Sequence, residues 1–327
     1  MQGNYNSAEK YARKALDLDP DLLDPLVILG NVYQHNNNYP LAAEYYSKAL
    51  SITPDDAFVH NELGNVFSAL ERFNDAVAEY ELALNQDPEF DDCRLNLADT
   101  LLELYESEQA ISHYQRLIEK QPDNIKFLMK LAQALITITS KNTQAILDKV
   151  LKLDKRCAKA YYWQGIYQQT MGHFDQASES LKTAIALKPD NYAAWYRLSL
   201  NKGYMPEDDD IDLLQSRFDQ LQTESPDLVS LGFTLGRFFE QKNNADKAFQ
   251  YYKAANRTRA SQQPFDKDMH NEQIDNIIKI FDAGFLRQTP RLGSSSSFAA
   301  VHRWYAALRY VAGRANSSIA YANSWRR

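Results

Sequence analysis

The chain has 327 residues, 24% of them charged, and a formal net charge of −7 at neutral pH. That acidic balance argues against a general nucleic-acid binder and favours a basic partner, or none. No apolar run is long enough to cross a bilayer, and Met1-Gln2-Gly3-Asn4-Tyr5 lacks the basic, apolar and cleavage regions of a signal peptide. Cys93 and Cys157 are the only cysteines and stand far apart, which speaks against a disulfide framework or a thiolate metal site. The expectation is a cytoplasmic protein with no membrane partner.

Taken in order, Gly3 to Pro20 places Ala8, Ala15 and Pro20 at the spacing of the second helix of a hairpin, with no first helix before it. It reads as half a repeat, so Met1 is expected to be an internal start or a fragment edge. Leu29-Gly30, Tyr33, Ala42, Tyr46, Ala49 and Pro54 then return at a constant interval as Leu63-Gly64, Phe67, Ala76, Tyr80, Ala83 and Pro88. A further turn closes at Pro122. Small residues let paired helices approach, large ones fill the groove between them, and the closing proline stops the second helix. From Lys126 to Lys155 the pattern degenerates: Leu131 and Ala132 hold, Ile136-Thr137-Ile138-Thr139 is β-branched, no proline closes the segment, and the phase slips by one residue. Gly165, Gly172, Phe174, Ala177, Ala184 and Pro189 restore it, and the next first helix is expected from Trp195 and Leu198. After Tyr204-Met205-Pro206, the run Glu207 to Asp210 is expected to cap a helix from Ile211 to Gln222 through its dipole. Leu235-Gly236, Phe239, Ala248, Tyr252 and Ala255 give a last hairpin from Leu228 to Arg259, and Gln273 to Phe285 reads as a short amphipathic helix.

The interval and its residue pattern resemble the tetratricopeptide repeat (TPR), a helix-turn-helix unit that stacks into a solenoid. The resemblance implies an all-α fold, a right-handed superhelical solenoid of antiparallel helix pairs. The expected organisation is a TPR array over 1–204, an acidic linker and helix over 205–227, a TPR-like hairpin plus helix over 228–290, and a separate tail over 291–327.

Residues 228 to 290 are also similar to bacterial TPR proteins whose repeats lead into a sulfotransferase domain. Leu235-Gly236-Arg237-Phe238, Ala248-Phe249, Tyr251-Tyr252, Ala255-Asn256 and Phe281-Asp282-Ala283-Gly284-Phe285 carry that likeness. In the family the next element is a strand and loop that cradle the 5′-phosphate of the sulfuryl donor PAPS, written roughly FIVGMPRSGTSLVEQI. The motif is absent from the tail. Codons for Val301 through Asn316, read one nucleotide later, nevertheless permit it at every position, and the Trp304 codon with the first base of the Tyr305 codon forces its Gly before Met. The tail is therefore either an out-of-frame translation of a sulfotransferase P-loop or a native basic segment. A link to a glycosyltransferase is disfavoured by the likeness over 228–290.

No catalytic constellation is present: there is no Gly-rich loop after a strand, and His35, His60, His113, His173, His270 and His302 show no metal-ligand spacing. The chain as written is expected to be non-catalytic, with no metal and no cofactor; PAPS would enter only with a sulfotransferase domain. What remains is the concave face lined by the first helix of each repeat. In register it holds Asn61, Asn65, Asn96, Lys126 and Lys130. They resemble the carboxylate clamp of chaperone-binding TPR domains, with Asn61 where that family has Lys and Lys130 where it has Arg. Lys supplies a charge-assisted bond but no bidentate fork. The same residues could instead bind an extended peptide backbone, or bridge neighbouring repeats. Tyr161, Tyr162, Trp163 and Trp195 offer either an aromatic surface or interhelical packing.

Overall fold

The computed structural model describes residues 2–201, 203–221 and 225–262. The amphipathic helix at 273–285, the tail at 291–327 and Gln222 lie outside the described residues. Among those described there are fifteen α-helices and no strand, so the chain is an all-α repeat fold. Two units are described separately, residues 1–134 and, among the described residues, 135–262; the boundary falls within the eighth helix.

In the first unit, α1 (Gln2–Leu18) is followed by the pairs α2 (Leu23–His35) and α3 (Tyr39–Ile52), α4 (Ala57–Ala69) and α5 (Phe73–Gln86), and α6 (Asp91–Glu103) and α7 (Ser107–Lys120). Successive helices pack on one another from α1 through α7, and α8 (Ile125–Thr137) comes next. We call the members of a pair A and B in chain order. Leu26, Leu29, Ala42, Tyr46, Ala49, Val59, Leu63 and Val66 form one continuous buried cluster here. Each new pair thus buries its apolar face on the last, as a stacked repeat must.

The second unit holds α9 (Asn142–Leu153), α10 (Ala158–Thr170), α11 (Phe174–Leu187), α12 (Tyr192–Ser199), α13 (Asp208–Gln220), α14 (Pro226–Gln241) and α15 (Ala245–Gln262). Its core is richer in aromatics, with Tyr192, Trp195, Phe238 and Phe239 buried beside Leu181, Leu198, Leu231 and Leu235. Two boundaries differ from expectation. Helix α12 starts at Tyr192 rather than Trp195, because the Asn191 side chain accepts from Ala194 N at 3.1 Å and caps it. Helix α13 starts at Asp208 rather than Ile211, so the acidic run fills its first turn; no side-chain bond caps it at Glu207, and the favourable term is the dipole.

The turn inside each pair is a repeated device. Asn37, Glu71, Tyr105 and Thr139, each exactly one period after the last, adopt the left-handed backbone at φ 58, 57, 62 and 54°. The next such residue, Gly172 at φ 82°, arrives one position early. The phase slip read from the degenerate segment is therefore visible in the backbone, and the segment still folds as α8 and α9. Glycine is the one residue of this series that adopts the turn without strain from a Cβ.

Close helix approach is the second device. A Cβ added to Gly64 would lie 2.6 Å from Tyr80 Cε1, and one added to Gly30 would lie 2.5 Å from Tyr46 Cε1. Gly64→Ala should lower stability by about 1 kcal/mol, read by urea denaturation, because overpacking costs about 1–3 kcal/mol and the better helix propensity of alanine returns up to about 1. An unchanged midpoint would mean that the Tyr80 ring moves aside freely.

Candidate functional site

The A helices of the first unit carry polar side chains at a fixed interval, and the B helices reach across to hold them. Tyr46, Tyr80 and Tyr114, one per repeat in the same register, are all buried. Their hydroxyls meet Asn31 Oδ1 at 2.6 Å, Asn65 Oδ1 at 2.9 Å and Asp99 Oδ1 at 2.5 Å, three acceptors with the same spacing. Burial, above all, holds the three phenols well above the ordinary tyrosine range, so each stays protonated and donates. Asp99 adds to the upward push on Tyr114 by accepting its proton in a hydrogen bond.

Bonds between repeats join this row into a network. Asn96 Nδ2 donates to Asn61 Oδ1 at 3.1 Å and to Asn65 Oδ1 at 3.0 Å. Lys130 Nζ donates to Asp99 Oδ2 at 2.7 Å. Glu62 accepts from Asn61 Nδ2 at 2.9 Å, Asn65 Nδ2 at 3.2 Å and Gln34 Nε2 at 3.2 Å. Of the five residues singled out from the sequence, four are thus in one polar row: Asn61 is buried, and Asn65, Asn96 and Lys130 are half-buried. Lys126 stands apart, exposed, with its backbone N–H donating to Asn124 Oδ1 at 3.0 Å.

Over this row opens a cavity of about 310 Å³ lined by Asn65, Ser68, Tyr80, Asn96, Asp99, Thr100, Leu102, Glu103, Lys130 and Gln133. Sequence reasoning missed Glu62, Asp99 and Glu103 because it sought residues that grip an anion. The signal was available: Glu62, Asn96 and Lys130 share one register, and Asn31, Asn65 and Asp99 share another. Among the described residues the lining offers hydrogen-bond donors and acceptors and two carboxylates against one lysine, and no nucleophile paired with a base. Cys93 lies elsewhere, buried beneath Tyr80 O at 3.5 Å, and burial pushes its thiol up to about 12, which leaves it inert.

A second contact recurs where three of the A helices meet the proline of the preceding repeat. His60 Nε2 lies 2.8 Å from Pro54 O, Arg94 Nη2 donates to Pro88 O, and Trp195 Nε1 donates to Pro189 O at 3.1 Å. His60 is also paired through Nδ1 with Glu79 Oε2 at 2.6 Å. One period later the corresponding residues are Arg94 and His113, so a cation and a histidine occupy the places of that hydrogen-bonded pair. Arg94 is 5% exposed, and its Nε is buried without a hydrogen-bond partner. Of the aromatic group, Trp195 is buried and Tyr161 and Tyr162 lie against the core of the second unit, while the Trp163 ring meets Tyr162 edge-on with centroids 5.5 Å apart.

Family models described as "TPR repeat" match residues 30–71, and others described as "Tetratricopeptide repeat" match 68–134 and, together, 2–22 and 158–191. Over 66 residues the chain is 36% identical to the cell division cycle protein 27 homolog of Caenorhabditis elegans, a segment that is 20% of this chain and 8% of that protein. Among solved structures, a tetratricopeptide repeat protein from Parabacteroides merdae superposes with a TM-score of 0.58 at 17% identity, over 79% of this chain and 98% of that one. YrrB, described as a TPR protein with an unusual peptide-binding site, superposes with a TM-score of 0.51 at 23% identity, over 58% of this chain and 98% of that one. At these identities the structural likenesses establish the fold.

Proposed function

We propose that this chain, a tetratricopeptide-repeat protein, is a non-catalytic scaffold that holds an extended peptide of a partner protein along the A-helix row of its first unit. The observation that carries the reading is the cavity over Asn65, Asn96, Asp99 and Lys130, where a polar floor lies open across three successive A helices. Side-chain amides held in place by tyrosines are suited to a peptide backbone, which presents alternating donors and acceptors and carries no sequence information by itself. Asn65, Asn96 and Lys130 would face the peptide, with buried Asn61 bracing Asn96 from beneath and Lys126 outside the cavity. The peptide site named for YrrB is a parallel in the same fold and supports this reading by analogy. Against an anion clamp stands the pairing of Lys130 with Asp99, which already neutralises its charge.

The test is selection of random displayed heptapeptides on the full chain, followed by affinity measurement on Asn96→Ala. Recovered peptides should lose about tenfold or more on the variant while its melting temperature stays within a few degrees, since the lost bonds are partly exposed. Equal affinity for both proteins, or no recovered peptide, overturns the reading.

A second reading concerns the parent protein: a PAPS-dependent sulfotransferase whose acceptor the repeats present. It is favoured by the sequence likeness over 228–290, of which the described part is the hairpin of α14 and α15 with Tyr252 lying on Gly236. The nucleotide sequence beyond residue 290 tests it, because a second frame without the phosphate-loop motif removes its basis.

A further inference from the structure

We infer that the cavity of the first unit is a subsite for a basic side chain, a lysine or arginine of the bound peptide, with Glu103 as its ion-pair partner. This rests on the peptide-groove reading above and specifies the peptide's chemistry.

The argument is a balance of charge and hydrogen bonds within the lining. Among the described residues of the lining Lys130 is the one cation, and Asp99 Oδ2 holds it at 2.7 Å. The other oxygen of Asp99 accepts from Tyr114 at 2.5 Å, so that carboxylate is satisfied on both sides. Glu62, next to the cavity, is satisfied by three amides. The Nδ2 of Asn96 is committed to Asn61 and Asn65, and the Thr100 hydroxyl donates to Asn96 O at 2.9 Å. The remaining charge is Glu103, one helical turn from Asp99 on α6, exposed and without a hydrogen bond or ion pair to any other described residue.

The size and walls fit the same occupant. A volume of about 310 Å³ is at the lower end of ligand pockets, the scale of one long side chain with its waters. Leu102 provides an apolar wall for an aliphatic stem, and Glu103 sits at the mouth, where a snorkelling ammonium or guanidinium keeps partial hydration. A peptide carboxylate would instead meet Glu103 and a lysine already taken. The polarity is the reverse of an anion clamp, and it agrees with the chain's net charge of −7.

The selected heptapeptides provide the experiment. They should be enriched in Lys and Arg, and replacing the shared arginine of a synthesised winner by neutral, nearly isosteric citrulline should weaken binding about fivefold at low salt, with a smaller difference at high salt. Glu103→Gln should erase the arginine–citrulline difference, and Glu103→Lys should invert it; Glu103 is exposed, so both variants are expected to fold as the parent does. Peptides that bind and remain sensitive to Asn96→Ala, yet show no basic enrichment and no response to Glu103→Gln, overturn this inference while leaving the groove standing. Failure to recover any peptide overturns the groove itself, and the subsite with it.

Discussion

Tyr80→Ala should lower the stability of the protein by about 3–5 kcal/mol, measured from the chemical denaturation midpoint and slope by circular dichroism. The ring is 1% exposed and fills the space over Gly64, where no Cβ stands to take its place. Its removal therefore leaves a cavity that two packed helices cannot close, and adds the loss of the bond to Asn65. Tyr80→Phe separates the two terms. It keeps the packing, forfeits one hydrogen bond, and should cost about 1 kcal/mol. Repeat arrays transmit such losses to nearest neighbours first, so Tyr80→Ala should also release Asn65, whose side-chain oxygen Asn96 alone would then hold from the next repeat. A loss below about 1 kcal/mol for the alanine variant would mean that the repeat recloses over the gap.

His113→Glu should act in the opposite direction and stabilise the protein by about 1.5–3 kcal/mol at pH 7, read as a higher denaturation midpoint. Buried Arg94 has the Pro88 carbonyl as an acceptor but leaves Nε unsatisfied, whereas the matching residue one repeat earlier, His60, has Glu79. A glutamate at 113 restores that geometry. Burial first, then Arg94 and Arg116, depress the His113 pKa below its ordinary value of 6.5, so at neutral pH the ring is uncharged and offers no compensation. The sign for the parent protein follows. The unfolded chain takes up a proton at 6.5 that the folded one resists, so His113 contributes a stability loss as the pH falls through the interval just below 6.5. In the variant that contribution vanishes, and the new carboxylate stabilises above its own unfolded pKa. If His113→Glu melts at or below the parent temperature, the Arg94 guanidinium is satisfied by a route other than the missing carboxylate.

Much of the fold could be read from the sequence because the period constrains backbone and packing together. Gly30 with Tyr46, Gly64 with Tyr80 and Gly236 with Tyr252 keep one constant separation between a glycine and the ring that covers it. The slip in phase after Thr139 appears in the backbone as the early arrival of Gly172. Helix starts were less legible where polar side chains decide them, as Asn191 does for α12 and the acidic run for α13. Of the candidate site, the register conveyed which residues come close together and not which of them pair. Asn61, Asn65, Asn96 and Lys130 do share a face, but matching them to an anion clamp drew attention to the cation and away from Asp99, which neutralises it. Partner choice between side chains of neighbouring repeats is settled by their reach in three dimensions, which a one-dimensional register cannot convey. The unsatisfied Nε of Arg94, by contrast, emerges from the register once the His60–Glu79 pair is known.

The bond from Trp195 to Pro189 O has a spectroscopic consequence. Residues 1–134 contain no tryptophan, while Trp163 and Trp195 both lie in the second unit, the latter buried with its indole N–H engaged. With Trp304 and Trp325 of the tail replaced by phenylalanine, emission from Trp195 should shift to the red when that unit opens, whereas the helices of the first unit have no indole to report their own melting. Comparing an emission-detected melt with far-ultraviolet dichroism, which sees helices throughout, would thus resolve whether damage at Tyr80 stays in the first unit or spreads. Coincident curves indicate a single cooperative block, and a dichroism loss that precedes the emission shift indicates two.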